Sequence, residues 1–157
     1  MAQVIILAAF IPPIIDMGGN AGSQSATLVL RAMALGQVRV TWREIGAVIA
    51  RELPVGVAIA VTVSVLEVAL ASMTKHSALF SDSTETGVRV LIVVGLSMMI
   101  CTVLGALIGA LLPFLAKKIG ADPATLSSPL ITSIMDITGV LIYFGLAMIF
   151  LGHLLVS

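Results

Sequence analysis

Four long apolar stretches, separated by short polar or charged segments, make up most of this chain. They cover about residues 4–30, 45–71, 88–116 and 126–156. Each exceeds the roughly 20 residues that a helix needs to cross the hydrocarbon core of a bilayer. Because that core offers no partners to backbone polar groups, such segments are stable there as helices. We therefore predict an all-α polytopic membrane helix bundle with four transmembrane helices, forming one transmembrane domain over residues 1–157.

The composition supports a membrane setting and excludes several classes of function. Hydrophobic residues make up 59% of the chain and charged residues 10%, whereas soluble domains carry about 25% charged residues. The formal net charge is zero, so nothing indicates a nucleic acid partner. The sequence has no cysteine and histidine cluster with zinc-ligand spacing, no phosphate-binding glycine loop and no nucleophile–base pair. We therefore do not expect an enzyme, and the expected surroundings are membrane lipid.

The distribution of basic residues predicts the orientation in the membrane. Six of the eight basic residues lie in or beside the first and third loops: Arg31, Arg39, Arg43, Arg51, Lys117 and Lys118. Because positive residues favour the cytoplasmic side, we predict that loops 36–43 and 117–123 are cytoplasmic. Asp82, in the loop between them, is then outside. The expected location is the cell (inner) membrane, with several passes.

A single acid, Asp136, lies about ten residues inside the fourth stretch, which is otherwise almost uncharged. A charge near the centre of a bilayer costs a few kcal/mol or more, so an intramembrane acid is a candidate functional residue. Steps of three and four place six residues within an arc of roughly 80° on one helix face: Thr125, Ser128, Thr132, Asp136, Gly139 and Tyr143. This pattern is typical of the wall of an ion or proton path, and it predicts Asp136 as the central site.

The first stretch carries a second polar face with the same spacing, made of Asp16, Asn20, Ser23, Thr27 and Arg31. At 1.5 Å per residue, both Asp16 and Asp136 reach the midplane of a hydrocarbon core about 30 Å thick. Two acids at one depth, on two polar faces, are hard to explain by packing. The alternative is that one of them is protonated and hydrogen-bonded inside the bundle.

Helix-weakening residues are concentrated in the first stretch. We expect Pro12, Pro13 and the glycine-rich residues 18–22 to weaken or break its helix. Backbone freed at membrane depth is tolerated where it lines a watery cavity, and its carbonyl groups then suit a cation. The alternative is that the glycines only allow close helix packing, which is also our interpretation of Gly105 and Gly109 in the third stretch.

The available ligands in these stretches are carboxylate, amide, hydroxyl and backbone oxygens, which suit hard cations such as Mg²⁺, Ca²⁺ or Mn²⁺. Mg²⁺ gives up its waters reluctantly and is often held through them by one or two carboxylates, so these ligands fit a hydrated Mg²⁺ better than a stripped ion. The ligand types rank the three cations and do not decide between them. One subunit offers too little wall to enclose such an ion, which predicts a homodimer. Of the other acids, Glu52 is expected to pair with the adjacent Arg51, and Glu67 is a candidate vestibule charge.

Several local sequences resemble the MgtE family of bacterial magnesium channels. They are PxxxxGGNAGSQSAT at residues 13–27 and DPAxxxSPLxTxxxDxxG at residues 122–139. The segment 42–52 and the Leu-Pro-Phe sequence at residues 112–114 are also similar to that family. The resemblance covers nearly the whole chain, and its two glycine- and proline-containing motifs are specific.

The resemblance implies a Mg²⁺ channel whose pore lies at a homodimer interface, between the first and fourth stretches of each copy. It implies that Asp136 binds hydrated Mg²⁺ near the centre and that Thr132 contributes through its backbone. Ser128 stands where the family often has asparagine. Together with the acid and amide of the first polar face, this gives the predicted site for the transported Mg²⁺: Asp136, Thr132, Ser128, Asp16 and Asn20.

The resemblance also implies segments beyond this chain. Family members usually carry cytoplasmic regulatory domains and one more transmembrane helix before this region, and we expect them in the intact protein. Two other functions remain open, a cation-coupled magnesium exchanger and a non-conducting structural or assembly subunit. Flux that depends on Na⁺ or H⁺ would favour the exchanger, and tolerance of an Asp136→Ala substitution would favour the structural subunit.

Overall fold

The structure is a computed structural model that describes residues 6–80 and 83–155. Its main helices are α1 (Ile11–Ala34), α2 (Trp42–Thr74), α3 (His76–Leu79), α4 (Thr84–Lys118) and α5 (Pro123–Leu155). The long helices α2, α4 and α5 match the second, third and fourth apolar stretches closely, whereas α1 begins at Ile11 and ends at Ala34, later than the first stretch at both ends. The described residues contain no strand, so the all-helical prediction is confirmed. Asp82 and the outermost residues of the first and fourth predicted stretches, 4–5 and 156, lie outside the described residues.

Local sequence sets where the helices begin and end. Pro12 lies in the first turn of α1, where its missing N–H removes no intrahelical hydrogen bond. The hydroxyl groups of Thr41 and Ser83 cap α2 and α4, each accepting a hydrogen bond from the backbone N–H three residues later. Helices α1 and α4 are followed by Gly36 and Gly120, whose φ angles of 69° and 77° favour glycine.

The first stretch is interrupted just before Pro12 and Pro13, as expected, because residues 9–10 form a turn between helical residues 6–8 and the start of α1. Helix α1 continues without a break through its glycine-rich residues 18–22, so the interruption expected there is wrong. Instead, the glycines allow the backbones of α1 and α4 to approach closely where the two helices cross. A Cβ added at Gly22 would lie 2.7 Å from the Gly105 carbonyl oxygen, and one added at Gly109 would overlap the Gly22 carbonyl oxygen. Small residues allow this close backbone approach between membrane helices. The packing interpretation of Gly105 and Gly109 is therefore confirmed.

Helix α4 forms the centre of the bundle. It packs against α1, α2 and α5, and 50% of its most apolar segment is buried, against 11% for α2. Helices α1 and α5 also pack against each other, whereas α2 makes little contact with α1. As a result, α2 exposes many apolar side chains, among them Val61 and Leu66.

Among the described residues, three helical segments are long and apolar enough to cross a membrane: α2, α4 and Ser128–Gly152 of α5. Helix α1 is not one of them. Its polar face, with Asp16 and Asn20, lowers the hydropathy of the 24-residue helix. The prediction of four transmembrane helices is therefore supported only in its coarser form, a polytopic helical membrane bundle.

The two basic loops lie at the same end of the bundle. Lys118, at the end of α4, places its Nζ 5.2 Å from the ring centre of Trp42, at the start of α2. The start of α4 lies beside the end of α5, because Arg89 donates a hydrogen bond of 3.2 Å to the Phe150 carbonyl oxygen and pairs with Glu85 at 2.6 Å. Successive long helices therefore run in alternating directions, as expected for consecutive membrane spans.

Candidate groove between helices α1 and α5

Helices α1 and α5 approach closely at Gly19, where an added Cβ would lie 4.0 Å from the Thr132 Cα. An open groove of about 340 Å³ follows this contact. Its lining consists of Ile11, Pro12, Ile15, Asp16, Gly19, Asn20, Thr132 and Asp136. Four of the five residues predicted to face the ion therefore come together, two from each helix. Their role in binding an ion remains a prediction.

Ser128 is the predicted residue that does not line this groove. It lies two turns before Asp136 on α5, and its side chain is exposed. Its carbonyl oxygen accepts a hydrogen bond of 3.2 Å from the Thr132 hydroxyl. This bond uses the hydroxyl proton of Thr132 and leaves the lone pairs of its oxygen for another ligand.

The two carboxylates of the groove have different surroundings. Asp16 accepts a hydrogen bond of 2.9 Å from the side-chain amide of Asn20, one helical turn later. Within the described part of the chain, the Asp136 carboxylate has no hydrogen-bond or ion-pair partner. Both acids are exposed on the side of the bundle. The alternative interpretation, an acid hydrogen-bonded inside the bundle, is therefore wrong for this structure.

The polar face of α5 is open only over part of its length. Tyr143 is buried and donates a hydrogen bond of 2.9 Å to the Leu7 carbonyl oxygen. A Cβ added at Gly139 would lie 3.2 Å from the side chain of Ile15. Beyond Asp136, this face therefore packs against the beginning of α1 and the segment just before it, and Asp136 is its last exposed polar residue.

The polar face of α1 continues along the side of the bundle as a polar track, which we define by Asp16, Asn20, Thr27 and Arg31. A second groove, of about 630 Å³, is lined by Met17, Asn20, Ser23, Gln24, Thr27 and Leu28. A third, of about 540 Å³, shares Thr27 and reaches Arg31 and Lys117 at the basic end. The shared residues connect the three grooves from the two carboxylates to that end.

Two further acids have neighbours that the helix-by-helix analysis of the sequence misses. Glu52 accepts a hydrogen bond of 2.8 Å from the hydroxyl of Ser25. Among the described residues it forms no ion pair with Arg51, so the expected pairing is wrong. Ser25 is only 5% exposed, and the bond ties α1 to α2 where these helices otherwise have little contact. Glu67 of α2 borders a groove of about 300 Å³ that also includes Asp16. The spacing of residues along one helix does not predict either of these neighbours.

The donor set of the main groove consists of carboxylate, amide and hydroxyl groups. The described residues contain no group of three or more His, Cys, Asp or Glu side chains placed to hold a metal ion. One chain therefore supplies an open wall with two carboxylates and no closed cage. An ion that keeps its water shell, as Mg²⁺ does when it is held by one or two carboxylates, matches this wall better than an ion that must be fully dehydrated.

Comparison with known proteins gives consistent matches. The sequence model of the MgtE family, described as a divalent cation transporter, matches residues 11–146. The "Magnesium transporter MgtE" of Thermus thermophilus is 37% identical over 152 residues, which cover 96% of this chain and 31% of that protein. The protein of the same name from Bacillus subtilis is 32% identical over 154 residues, with 98% and 32% covered. The chain thus spans about a third of the length of these relatives.

Proposed function

This chain belongs to the MgtE family of divalent cation transporters, and we propose that it forms the wall of a channel for hydrated Mg²⁺. Because the members of this family are transporters, the prediction that the chain is not an enzyme is confirmed. The observation that carries the proposal is the groove in which Asp16 and Asp136, from two helices, face the same space. Mg²⁺ is the substrate here, and the carboxylates hold it through its water shell.

In this proposal α1 is the fourth membrane-spanning helix. At 1.5 Å per residue its 24 residues extend about 36 Å, which exceeds a hydrocarbon core of about 30 Å. Its polar face is too costly to expose to lipid and must turn toward protein or water. The grooves beside Asn20 and Thr27 give that face a path for water and ions.

We further propose that a second copy of the chain closes the groove. Asp16, Asn20, Thr132 and Asp136 are all exposed in one chain, and lipid cannot replace the missing wall because it offers no ligands. A two-fold axis sets the same patch of both copies face to face and brings up to four carboxylates around the path. Ser128 then lies along the same path, two turns from Asp136. Helices α2 and α4 support the pore from behind.

The basic end of the bundle is assigned to the cytoplasm of a cell (inner) membrane, with loops 36–43 and 117–123 inside. The membrane potential then drives inward flow of a divalent cation with about 4.6 kcal/mol per 100 mV. The cytoplasmic regulatory domains that the resemblance predicts for the intact protein belong to this proposal, and they would control the path from that side.

The test is Mg²⁺ flux into proteoliposomes that contain a Mg²⁺-sensitive dye. Asp136→Asn keeps the size of the side chain and removes its charge. A hydrogen bond to a charged group contributes about 1.5–3 kcal/mol, so flux should fall about 10- to 100-fold. The control is Glu85→Gln, which likewise turns a carboxylate into an amide, at an exposed side chain that lines none of the three grooves, and it should leave flux unchanged.

Other results of this flux experiment would contradict the proposal or favour one of the two alternative functions. Near-normal flux through correctly inserted Asp136→Asn protein would contradict the proposed site. Flux that requires a Na⁺ or H⁺ gradient would identify the exchanger. An inserted dimer without flux, whose heat stability does not respond to Mg²⁺, would identify the structural subunit.

A further inference from the structure

A separate apolar groove of about 360 Å³ lies at the basic end of the bundle, between the start of α2 and the last turns of α4. Its lining consists of Val40, Trp42, Ile45, Leu111, Phe114, Leu115 and Lys118. Its floor is firmly packed, because Phe114 is 2% exposed and belongs to a small core with Val29 and Ala110. Its volume falls within the roughly 300–1,000 Å³ of small-molecule sites. None of its residues lines the polar track.

A cation and an aromatic ring stand together at the rim of this groove. The Nζ of Lys118 lies 5.2 Å from the ring centre of Trp42, within the roughly 6 Å of a cation–π interaction. The ring occupies one side of the ammonium group and leaves its other N–H donors available to an anion. The indole itself is 81% exposed, as expected for a tryptophan at the level of lipid headgroups.

Among the described residues, the acids at this end form no ion pair with its basic residues. The Glu44 carboxylate accepts a hydrogen bond from a backbone N–H, that of Glu52 from a hydroxyl, and that of Asp122 from a hydroxyl and a backbone N–H. The ion pair found in the described part of the chain, between Arg89 and Glu85, lies at the opposite end. The basic end therefore presents unpaired cations beside an apolar groove.

We propose that this groove binds one anionic phospholipid, with its phosphate at Lys118 and an acyl chain along Phe114 and Leu115. Basic pockets between membrane helices on the cytoplasmic side suit anionic headgroups, and the apolar floor suits the chain. The bound lipid would fill the space between the start of α2 and the end of α4. This inference goes beyond the proposed function, because it uses no residue of the ion path.

Trp42 is the single tryptophan of the chain, so all tryptophan fluorescence comes from the indole at the rim of this groove. The protein is placed in nanodiscs of phosphatidylcholine that contain a small fraction of lipid with brominated acyl chains, which quench a nearby indole. Brominated phosphatidylglycerol should quench Trp42 at a several-fold lower mole fraction than brominated phosphatidylcholine. Lys118→Gln should reduce this preference about fivefold, the factor that corresponds to about 1 kcal/mol for one cation near the membrane surface.

The matched control is Lys117→Gln, which removes the same charge from the neighbouring position but lines the third groove of the polar track. It should keep the preference for phosphatidylglycerol. Equal quenching by both brominated lipids would overturn the proposal. So would an equal loss in both variants, which would indicate diffuse surface attraction. Absence of quenching by either lipid would overturn it as well and would mean that protein, such as a second copy of the chain, covers the groove.

Discussion

Replacing Gly109 by alanine should destabilise the bundle, although alanine is the better helix former. Gly109 faces Gly22 where α4 crosses α1. A Cβ at this position would lie 2.6 Å from the Gly22 carbonyl carbon, whereas ordinary contacts lie at 3.4–4 Å. The atoms that it meets are backbone atoms, which cannot rotate away as a side chain can. The two helices must therefore move apart by about 1 Å in a tightly packed interior.

The size of the effect follows from two opposing contributions. Overpacking of a well-packed contact costs about 1–3 kcal/mol, and the change from glycine to alanine gains about 1 kcal/mol of helix propensity. The difference is about 0–2 kcal/mol, and overlap with rigid backbone atoms puts Gly109→Ala at the upper end of that range. At about 2–4 °C per kcal/mol for chains of 150–250 residues, a loss of about 2 kcal/mol lowers the apparent Tm by about 4–8 °C.

The measurement is the fraction of protein that stays monodisperse after heating in mild detergent, read by size-exclusion chromatography. The control is Gly145→Ala in α5, where an added Cβ meets nothing within 4 Å. That variant should be as stable as the parent chain or slightly more stable. A Gly109→Ala protein that melts at or above the temperature of the parent chain would refute the close contact between α1 and α4.

The groove and the cap of α5 each provide a further test. In a chain with Cys101→Ala, Thr132→Cys should cross-link two copies in membranes, whereas Ser133→Cys, one position around the helix, should not. Equal cross-linking of both would contradict the proposed two-fold closure. At the cap, the hydroxyl of Thr125 and then a backbone N–H hold the pKa of Asp122 below its ordinary value. The charged carboxylate therefore stabilises the folded chain above that ordinary pKa, and its contribution disappears as the pH falls through the lowered pKa. The Tm difference between the parent chain and Asp122→Asn should accordingly shrink below about pH 4, and a difference that grows in acid would contradict the cap.

The sequence predicts α2, α4 and α5 because apolar length depends only on counting along one helix. The same counting, at 1.5 Å per residue, predicts matching depths for Asp16 and Asp136. Their depth in a membrane remains a prediction, and the structure adds that both side chains line one groove. The polar composition of α1 is the exception, because a helix that carries a polar face falls below the hydropathy of an ordinary span.

Analysis of single stretches does not predict which residues of different helices contact each other. The glycines at residues 18 and 22 have the same spacing as Gly105 and Gly109, but only the crossing of α1 and α4 shows that the two pairs face each other. The hydrogen bond between Ser25 and Glu52 likewise joins two helices, and neither residue stands out on its own helix. Such pairings depend on the rotation of each helix about its axis, which apolar length does not determine.

Because one face of α1 is polar and exposed, its opposite, glycine-containing face has to hold the helix in the bundle. In lipid the hydrophobic effect does not drive helices together, so association rests on close van der Waals packing and hydrogen bonds between helices. Helix α1 leaves one face polar and exposed, and its glycine face must therefore supply the packing that holds it in the bundle. The contacts of Gly18 and Gly22 with α4 and the bond from Ser25 to Glu52 supply it from that side. Substitutions on the polar face should then alter the ion path and spare the fold, whereas substitutions at the glycines should move the whole wall that carries Asp16.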